Sequence, residues 1–246
     1  MIARDLRALN NFAFLYRERT RFRCGASDLL GVVLEPENGE GIIVDARELP
    51  ELRRIDVRPD GAARIGAFAA FDEVAGAVPA IAPPGATVRN VRLRMALGDA
   101  RVEVFGIGRT RYAQLEALAL APHEVPVTIE VAAPRKGLGI AERRRTTRDG
   151  DASHTVGVTA ALRVSALARF EHVRVFLDVD GEVQRAAEVE AKLEKQRCSP
   201  EAIPEAARMA AAGIKTIDAR SSAVARSLQP LVLAALREAF EAAKAA

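Results

Sequence analysis

The sequence predicts an α+β fold. Two observations carry this: apolar and polar residues alternate at strand spacing through much of residues 51–183, and the tail from residue 186 onward is patterned at helical spacing. The first segment, "MIARDLRALNNFAFLYRERT", places Ile2, Leu6, Leu9 and Ala13 on roughly one helical face. A turn is expected at "RCGASDLL", followed by the apolar run "LLGVVL". "GIIVD" reads as a short buried strand, bounded by Gly and Asp. "RRIDVRPDGAARIGAF" is a hairpin: Ile55 and Val57 alternate with charged residues, "PDG" makes the turn, and Ala63, Ile65 and Ala67 alternate on the return. "AFDEVAGAV" predicts a short helix ahead of the proline-rich "PAIAPPGAT". "ARVEVFG" and "VPVTIEVAAP" are two further strands.

Beyond residue 135, "HTVGVTAALRV" and "EHVRVFLDVDGEV" read as strands, the second turning at "DVDG". "AAEVEAKLEKQRC" is an amphipathic helix with Val189 and Leu193 on its apolar stripe. In "SPEAIPEAARMAAAG", Ser199 is the N-cap, Pro200 sits at the first helical position and Gly213 is the stop. The longest helical segment is "DARSSAVARSLQPLVLAALREAFEAAKAA", which Pro230 must kink or split. Three zones follow, 1–50, 51–134 and 135–246, sheet-rich in front with a helix-rich tail.

Composition narrows the function classes. The 246 residues carry a net charge of +3, and 49% are hydrophobic. With no Trp and 4% aromatic residues, there is no stacking platform for single-stranded nucleic acid. The dense basic run "ERRRTTRD" (Glu142 to Asp149) reads either as an exposed loop or solvated face, or as a contact for phosphate or a partner. No apolar run approaches the roughly 20 residues of a membrane span. The charged N-terminal stretch lacks a signal-peptide core, which points to the cytoplasm. Cys24 and Cys198 fit reduced thiols.

Motifs for chemistry are sparse. His123, His154 and His172 stand apart from one another and form no metal-ligand pattern. In "DASH" (Asp151 to His154), Ser153 and His154 are adjacent, so on a strand they point to opposite faces and make a poor nucleophile–base pair. No Walker sequence and no Gly-x-Gly-x-x-Gly occurs. "GASDLL" is left. Its small residues allow close approach to an anion, and the Ser27 hydroxyl offers a donor. The same pattern also suits a plain turn before a buried segment.

The run "CGASDLL" (Cys24, Gly25, Ala26, Ser27, Asp28, Leu29, Leu30), "VDA" (Val44 to Ala46), "PEL" (Pro50 to Leu52) and "RIGA" (Arg64 to Ala67) resembles the FAD-binding medium subunit of molybdenum hydroxylases, the carbon monoxide dehydrogenase and xanthine dehydrogenase family. Its members typically read Ala-Gly-Gly-Thr-Asp-Leu-Leu, Val-Asp-Leu, Pro-Glu-Leu and Arg-Ile-Gly-Ala. "ATVRN", "ARVEVFGIGRTR", "HEVPVTIEVAAP" and "IDARSSAVARSLQPLVLAALREAF" continue the resemblance in order. It implies an FAD domain of two α/β subdomains, then an antiparallel sheet with helices. It also implies an electron-relay role beside an iron–sulfur small subunit and a molybdenum large subunit, which hold the clusters and the molybdenum cofactor. By family position, Cys24 to Leu29 form the cofactor loop, and Ile65 and Gly66 lie near the flavin ring.

Two departures bear on the cofactor. The family's second loop glycine is Ala26 here, which is disfavoured by about 1 kcal/mol if that position needs positive φ. The Thr-Ile-Gly-Gly-Asn loop expected after "VRN" is missing, and Met95-Ala96-Leu97 fill the space. The sequence therefore leaves two readings: a flavin subunit relaying electrons, or a flavin-free scaffold that keeps the docking surfaces. A free-standing small-molecule binder of the same fold is a third.

Overall fold

The computed structural model describes residues 1–37, 39, 41–194, 196–199, 201–211 and 222–245. Two compact units divide it, Met1–Pro134 and Arg135–Ala246. Its class is the expected α+β.

The first unit opens with α1 (Leu6–Tyr16). Asp5 caps it by accepting from the Ala8 amide at 2.6 Å, and Leu9 and Ala13 are buried. β1 (Thr20–Arg23) then alternates buried and half-buried residues. β2 (Gly25–Ser27) and β3 (Val32–Leu34) form a tight antiparallel hairpin, and β4 (Ile42–Asp45) pairs in parallel with β1. The "GAS" segment is therefore a strand, with the turn moved to 28–31. Three residues are too few to show a period-2 pattern in the sequence.

The predicted hairpin is β5 (Ile55–Val57) and β6 (Ala63–Gly66), paired Ile55 to Ile65. α2 (Phe71–Ala77) and α3 (Val88–Leu97) follow, then β7 (Arg101–Gly106), β8 (Arg109–Gln114) and β9 (Val125–Val131). The five strands make one antiparallel sheet ordered β5-β6-β9-β7-β8. β8, "RTRYAQ", is an edge strand with no buried residue, so it lacks the apolar alternation that reveals a strand. Arg111 on β8 holds Glu124 through two bonds of 2.8 and 2.6 Å, and Glu124 also accepts from the Ala121 amide at 2.9 Å. This pair ties the connection before β9 to the sheet edge.

The second unit is a four-stranded antiparallel sheet, β10 (Leu138–Asp149), β11 (Ala152–Val164), β12 (Phe170–Val179) and β13 (Glu182–Arg185), in that spatial order. Val156, Val158, Ala160 and Leu162 alternate into one core with Phe170, Val173, Val175 and Leu177. α4 (Ala187–Leu193), α5 (Ala202–Ala207) and α6 (Ser222–Ala245) supply the remaining side of that core. On α6, Val224, Leu228, Val232, Ala235, Leu236, Ala239 and Ala243 recur at three- and four-residue steps and are buried. The helix is continuous through Pro230, so of the two expected outcomes, a kink or a split, the split does not occur. The apolar stripe spans the proline on both sides, and packing outweighs one missing helix N–H.

Other expectations change here too. "ERRRTTRD" is most of β10, so of the expected exposed loop or solvated face it is the face, an edge strand whose outer residues are largely exposed. Gly139 lets α6 cross this strand closely: a Cβ there would lie 1.8 Å from the Ala239 carbonyl oxygen. The helix begun at Ala187 stops at Leu193 rather than reaching Cys198, and Arg197 instead bridges Arg169 beside β12. Its end is fixed because Glu194 leaves the helix to accept from the His172 and Val173 amides, at 3.2 and 3.0 Å. α5 begins at Ala202 with Glu201 at its cap position, two residues later than expected; the Ser199 hydroxyl still accepts from the Ala202 amide at 3.3 Å, while Pro200, Gly213 and the 217–221 part of the tail motif lie outside the described residues.

Candidate functional site

The strongest candidate is the loop at 24–31, the end of β6 and the first turns of α3. β1 carries Phe22 into the core, and Cys24 continues that buried face. Gly25 then adopts φ +93°, a left-handed turn of the chain that glycine takes without steric cost. Ala26 does not share it, so the strain anticipated at residue 26 is absent; Ala26 lies exposed on β2.

Ser27 decides the chemistry of the loop. Its side chain is 3% exposed. The hydroxyl donates to the Ala67 carbonyl and accepts from the Leu30 amide at 3.2 Å. A serine hydroxyl has one proton to give, and here it goes to the backbone just past β6. The Gly31 amide closes the turn on the Ser27 carbonyl at 2.8 Å, and the Cys24 amide bonds the Leu34 carbonyl at 2.9 Å. Leu29 and Leu30 point into the core, and Asp28 is exposed.

The two predicted segments do meet, through the Ser27–Ala67 bond. Ile65 is fully buried on β6. Gly66 faces the backbone of residues 52 and 53: a Cβ there would lie 2.4 Å from the Leu52 carbonyl carbon and 2.5 Å from the Arg53 nitrogen. The Gly66 amide donates to the Arg54 carbonyl and that of Phe68 to the Leu52 carbonyl, both at 2.7 Å. Ile65 and Gly66 therefore secure β6 against the Pro50–Leu52 turn.

Where the resemblance led to the expectation of a second glycine loop, this chain has α3. Thr87 caps it by accepting from the Asn90 amide at 3.3 Å, and Met95, Ala96 and Leu97 are buried. α3 sends Arg92 back over the loop: its guanidinium nitrogen lies 2.6 Å from where a Cβ on Gly31 would stand. This contact was not legible beforehand, because an arginine among arginines in "VRNVRLRMAL" carries no positional signal. Nearby, Arg23 pairs Glu35 at 3.2 Å, and Arg47 grips Asp45 at 3.0 and 2.6 Å, holding that carboxyl below its usual range. Burial, then Asp45 and Glu35, push the Cys24 thiol up to about 12, so it stays protonated and unreactive at neutral pH.

Elsewhere, His154 Nδ1 contacts Asp180 at 2.6 Å across the β11–β12 edge, and Asp180 also accepts from the Thr155 amide at 2.7 Å. The His154 contact, then the amide, hold the Asp180 carboxyl below its usual range. Ser153 pairs Arg148 in register, one position off from His154 and hence on the opposite face. Among the described residues no group of three His, Cys, Asp or Glu could hold a metal ion, and no helix is long and apolar enough to cross a membrane.

No protein-family model and no curated protein matches the sequence. Solved structures do. The chain is similar to one from carbon monoxide dehydrogenase of Hydrogenophaga pseudoflava lacking the Mo-pyranopterin moiety, with 22% identity, a TM-score of 0.64, and coverage of 98% of this chain and 96% of that one. Reconstituted CO dehydrogenase from Oligotropha carboxidovorans gives 17% identity and a TM-score of 0.63, with the same coverage. Quinoline 2-oxidoreductase from Pseudomonas putida 86 gives 17% and 0.58, covering 99% of this chain and 96% of that one. At these identities the likeness speaks for architecture: from end to end, this chain has the fold of a chain found in carbon monoxide dehydrogenase and quinoline 2-oxidoreductase.

Proposed function

We propose that this chain is a flavin-free structural subunit of a molybdenum hydroxylase-like oxidoreductase. It is of the medium, FAD-domain type, with residues 1–50 and 51–134 as the two lobes of the former cofactor domain. It works in the cytoplasm, docking an iron–sulfur small subunit and a molybdenum large subunit. Electrons leave the complex by a route that does not pass through this chain.

The observation that carries the reading is the inward Ser27 hydroxyl. A dinucleotide needs donors aimed at its diphosphate. Ser27 gives its proton to Ala67, the Cys24, Leu30 and Gly31 amides bond within the hairpin, and Arg92 covers Gly31. A helix with a buried body stands where a second glycine loop would be. The donor set does not fit FAD, and no step through a flavin is derived. The end-to-end fold likeness supports retention of the docking role.

Absorption spectroscopy of the purified chain, before and after incubation with FAD and desalting, tests this. The expected spectrum lacks the flavin bands at about 370 and 450 nm. A stoichiometric flavin spectrum would restore the electron-relay reading. Affinity purification from the native host tests the docking role, with a two-iron–two-sulfur protein and a large molybdenum protein expected as partners. A monomer that purifies alone would favour the small-molecule binder.

A further inference from the structure

β10, 12 residues long, is an outer strand of the second unit's sheet and pairs with β11 on one side. Thr155 fixes the direction of its backbone groups. The Thr155 carbonyl accepts from the Asp180 amide at 2.9 Å, and the Thr155 amide donates to the Asp180 carboxylate at 2.7 Å. Both groups of Thr155 thus face the end of β12, away from β10. Residues opposite each other in an antiparallel ladder exchange both bonds or neither. Thr146 is the partner of Thr155, so its N–H and C=O face away from β11. The β10–β11 register is unbroken from Leu138 to Asp149, and strand geometry repeats every two residues. The N–H and C=O of Arg144 and Arg148 therefore face outward with those of Thr146. Among the described residues, none of the three has a backbone partner on that side.

Such a row of donors and acceptors is a template for one further strand. The side chains select which strand. Successive residues point to opposite faces, so Arg143 and Arg145 stand on the α6 side, where Arg143 pairs Glu238, and Arg144 and Arg148 stand on the other. Arg144 lies 3.5 Å from Asp178. Arg145 and Arg148 are exposed and have no acidic partner among the described residues. One uncommitted cation is thus present on each face. An opposite charge directly across a strand pair stabilises it, and a like charge destabilises it. A second copy of this chain brings the same cations and is disfavoured. A strand with Asp or Glu on both faces is matched.

We propose that the Arg144–Arg148 edge of β10 docks an extended acidic segment of another protein, which adds to the four-stranded sheet as one more strand. Backbone bonds at residues 144, 146 and 148 supply affinity, while Arg145 and Arg148 select the partner by charge. The proposal stands on the second unit alone and depends on neither the flavin-free reading nor the identity of the other subunits.

The probe is a fluorescent peptide, Thr-Glu-Val-Glu-Val-Glu-Val-Thr, titrated with the full chain and followed by anisotropy. A control peptide carries Lys at every Glu. The Glu peptide should bind and the Lys peptide should not, with hydrogen exchange slowed at the Arg144, Thr146 and Arg148 amides. R145E/R148E should bind the Glu peptide about tenfold more weakly or worse. T146P removes one outward N–H and keeps every charge. Thr146 gives no bond to β11, and proline is tolerated at such an edge position, so the circular dichroism spectrum should not change. Its binding should also fall about tenfold. Equal binding by T146P and the native chain would mean charge attraction without strand addition and would overturn the proposal. So would equal binding of the two peptides, no binding of the Glu peptide, unslowed exchange at those amides, or a native chain that sediments as a dimer and becomes a monomer in T146P.

Discussion

Replacing Ser27 with alanine separates a structural hydroxyl from a ligand-binding one. In the structure the hydroxyl donates to the Ala67 carbonyl and accepts from the Leu30 amide, and all three residues are buried. S27A removes both bonds and leaves a buried carbonyl without that donor. Each lost bond costs about 1 kcal/mol net, and a buried acceptor left short adds about 1 more, so 2–3 kcal/mol is expected. Because the hairpin at 25–34 is small, much of this should appear as local opening. Cys24 reports on it directly, as it sits at the base of the hairpin and is 1% exposed. An opening cost lowered by about 2–3 kcal/mol raises the rate of Cys24 modification by about 30- to 150-fold. The assay is thiol modification in native buffer, resolved by peptide mass spectrometry, alongside urea unfolding of the same variant. If S27A leaves Cys24 protected and the urea midpoint unmoved but abolishes FAD binding measured on the native chain, the hydroxyl faces a cofactor and the reasoning fails.

The remaining predictions follow from single contacts. G66A places a methyl group against the Leu52–Arg53 backbone, where nothing flexible can yield, and should cost about 3 kcal/mol or more, read as a lower urea midpoint or loss of soluble protein. Glu124 is held down to about 2, first by Arg111, from an ordinary 4.5. Its folded-state pKa is depressed, so the pair's stabilisation is complete above the unfolded value and is lost as pH falls from about 4.5 through about 2. Urea midpoints should drop across that window in the native chain and stay flatter in E124Q. Glu190 accepts from the Val175 amide at 2.9 Å and from Arg185 at 2.8 Å, and is 5% exposed. E190A should destabilise the second unit by about 3 kcal/mol, and a variant as stable as the native chain would show that α4 is held by its apolar stripe alone.

Much of the fold was legible because its signals are local and strong. The Ile55–Ala67 hairpin carries a turn sequence between two alternating runs, and the structure pairs Ile55 with Ile65. The apolar steps of the α6 segment likewise gave the helix, and the choice its proline left open, kink or split, falls against the split. The elements that escaped lack such signals. β8 has no buried residue at the sheet edge, β2 is three residues long, and the arginines of α3 blur its apolar positions. For the site, motif order brought residues 24–29 together with 65–66, and one hydrogen bond joins Ser27 to Ala67, the residue after the second stretch. The direction of that bond was not legible. Whether a serine hydroxyl turns outward to a ligand or inward to a carbonyl depends on a partner forty residues away, and no local pattern records it.

Among the described residues, β10 leaves one side of its backbone ladder unmatched along the rim of the second unit's sheet. Such a rim invites a stranger's strand to zip alongside. Arg143, Arg144, Arg145 and Arg148 crowd it with charge, and Arg143 is tethered to Glu238 of α6 at 2.5 Å. Two identical rims meeting head-on would stack arginine against arginine, so self-association into fibres is discouraged, while an acidic neighbour is not repelled. The cluster is then a guard as much as a contact: threonines in its place would keep the fold and invite clumping during expression.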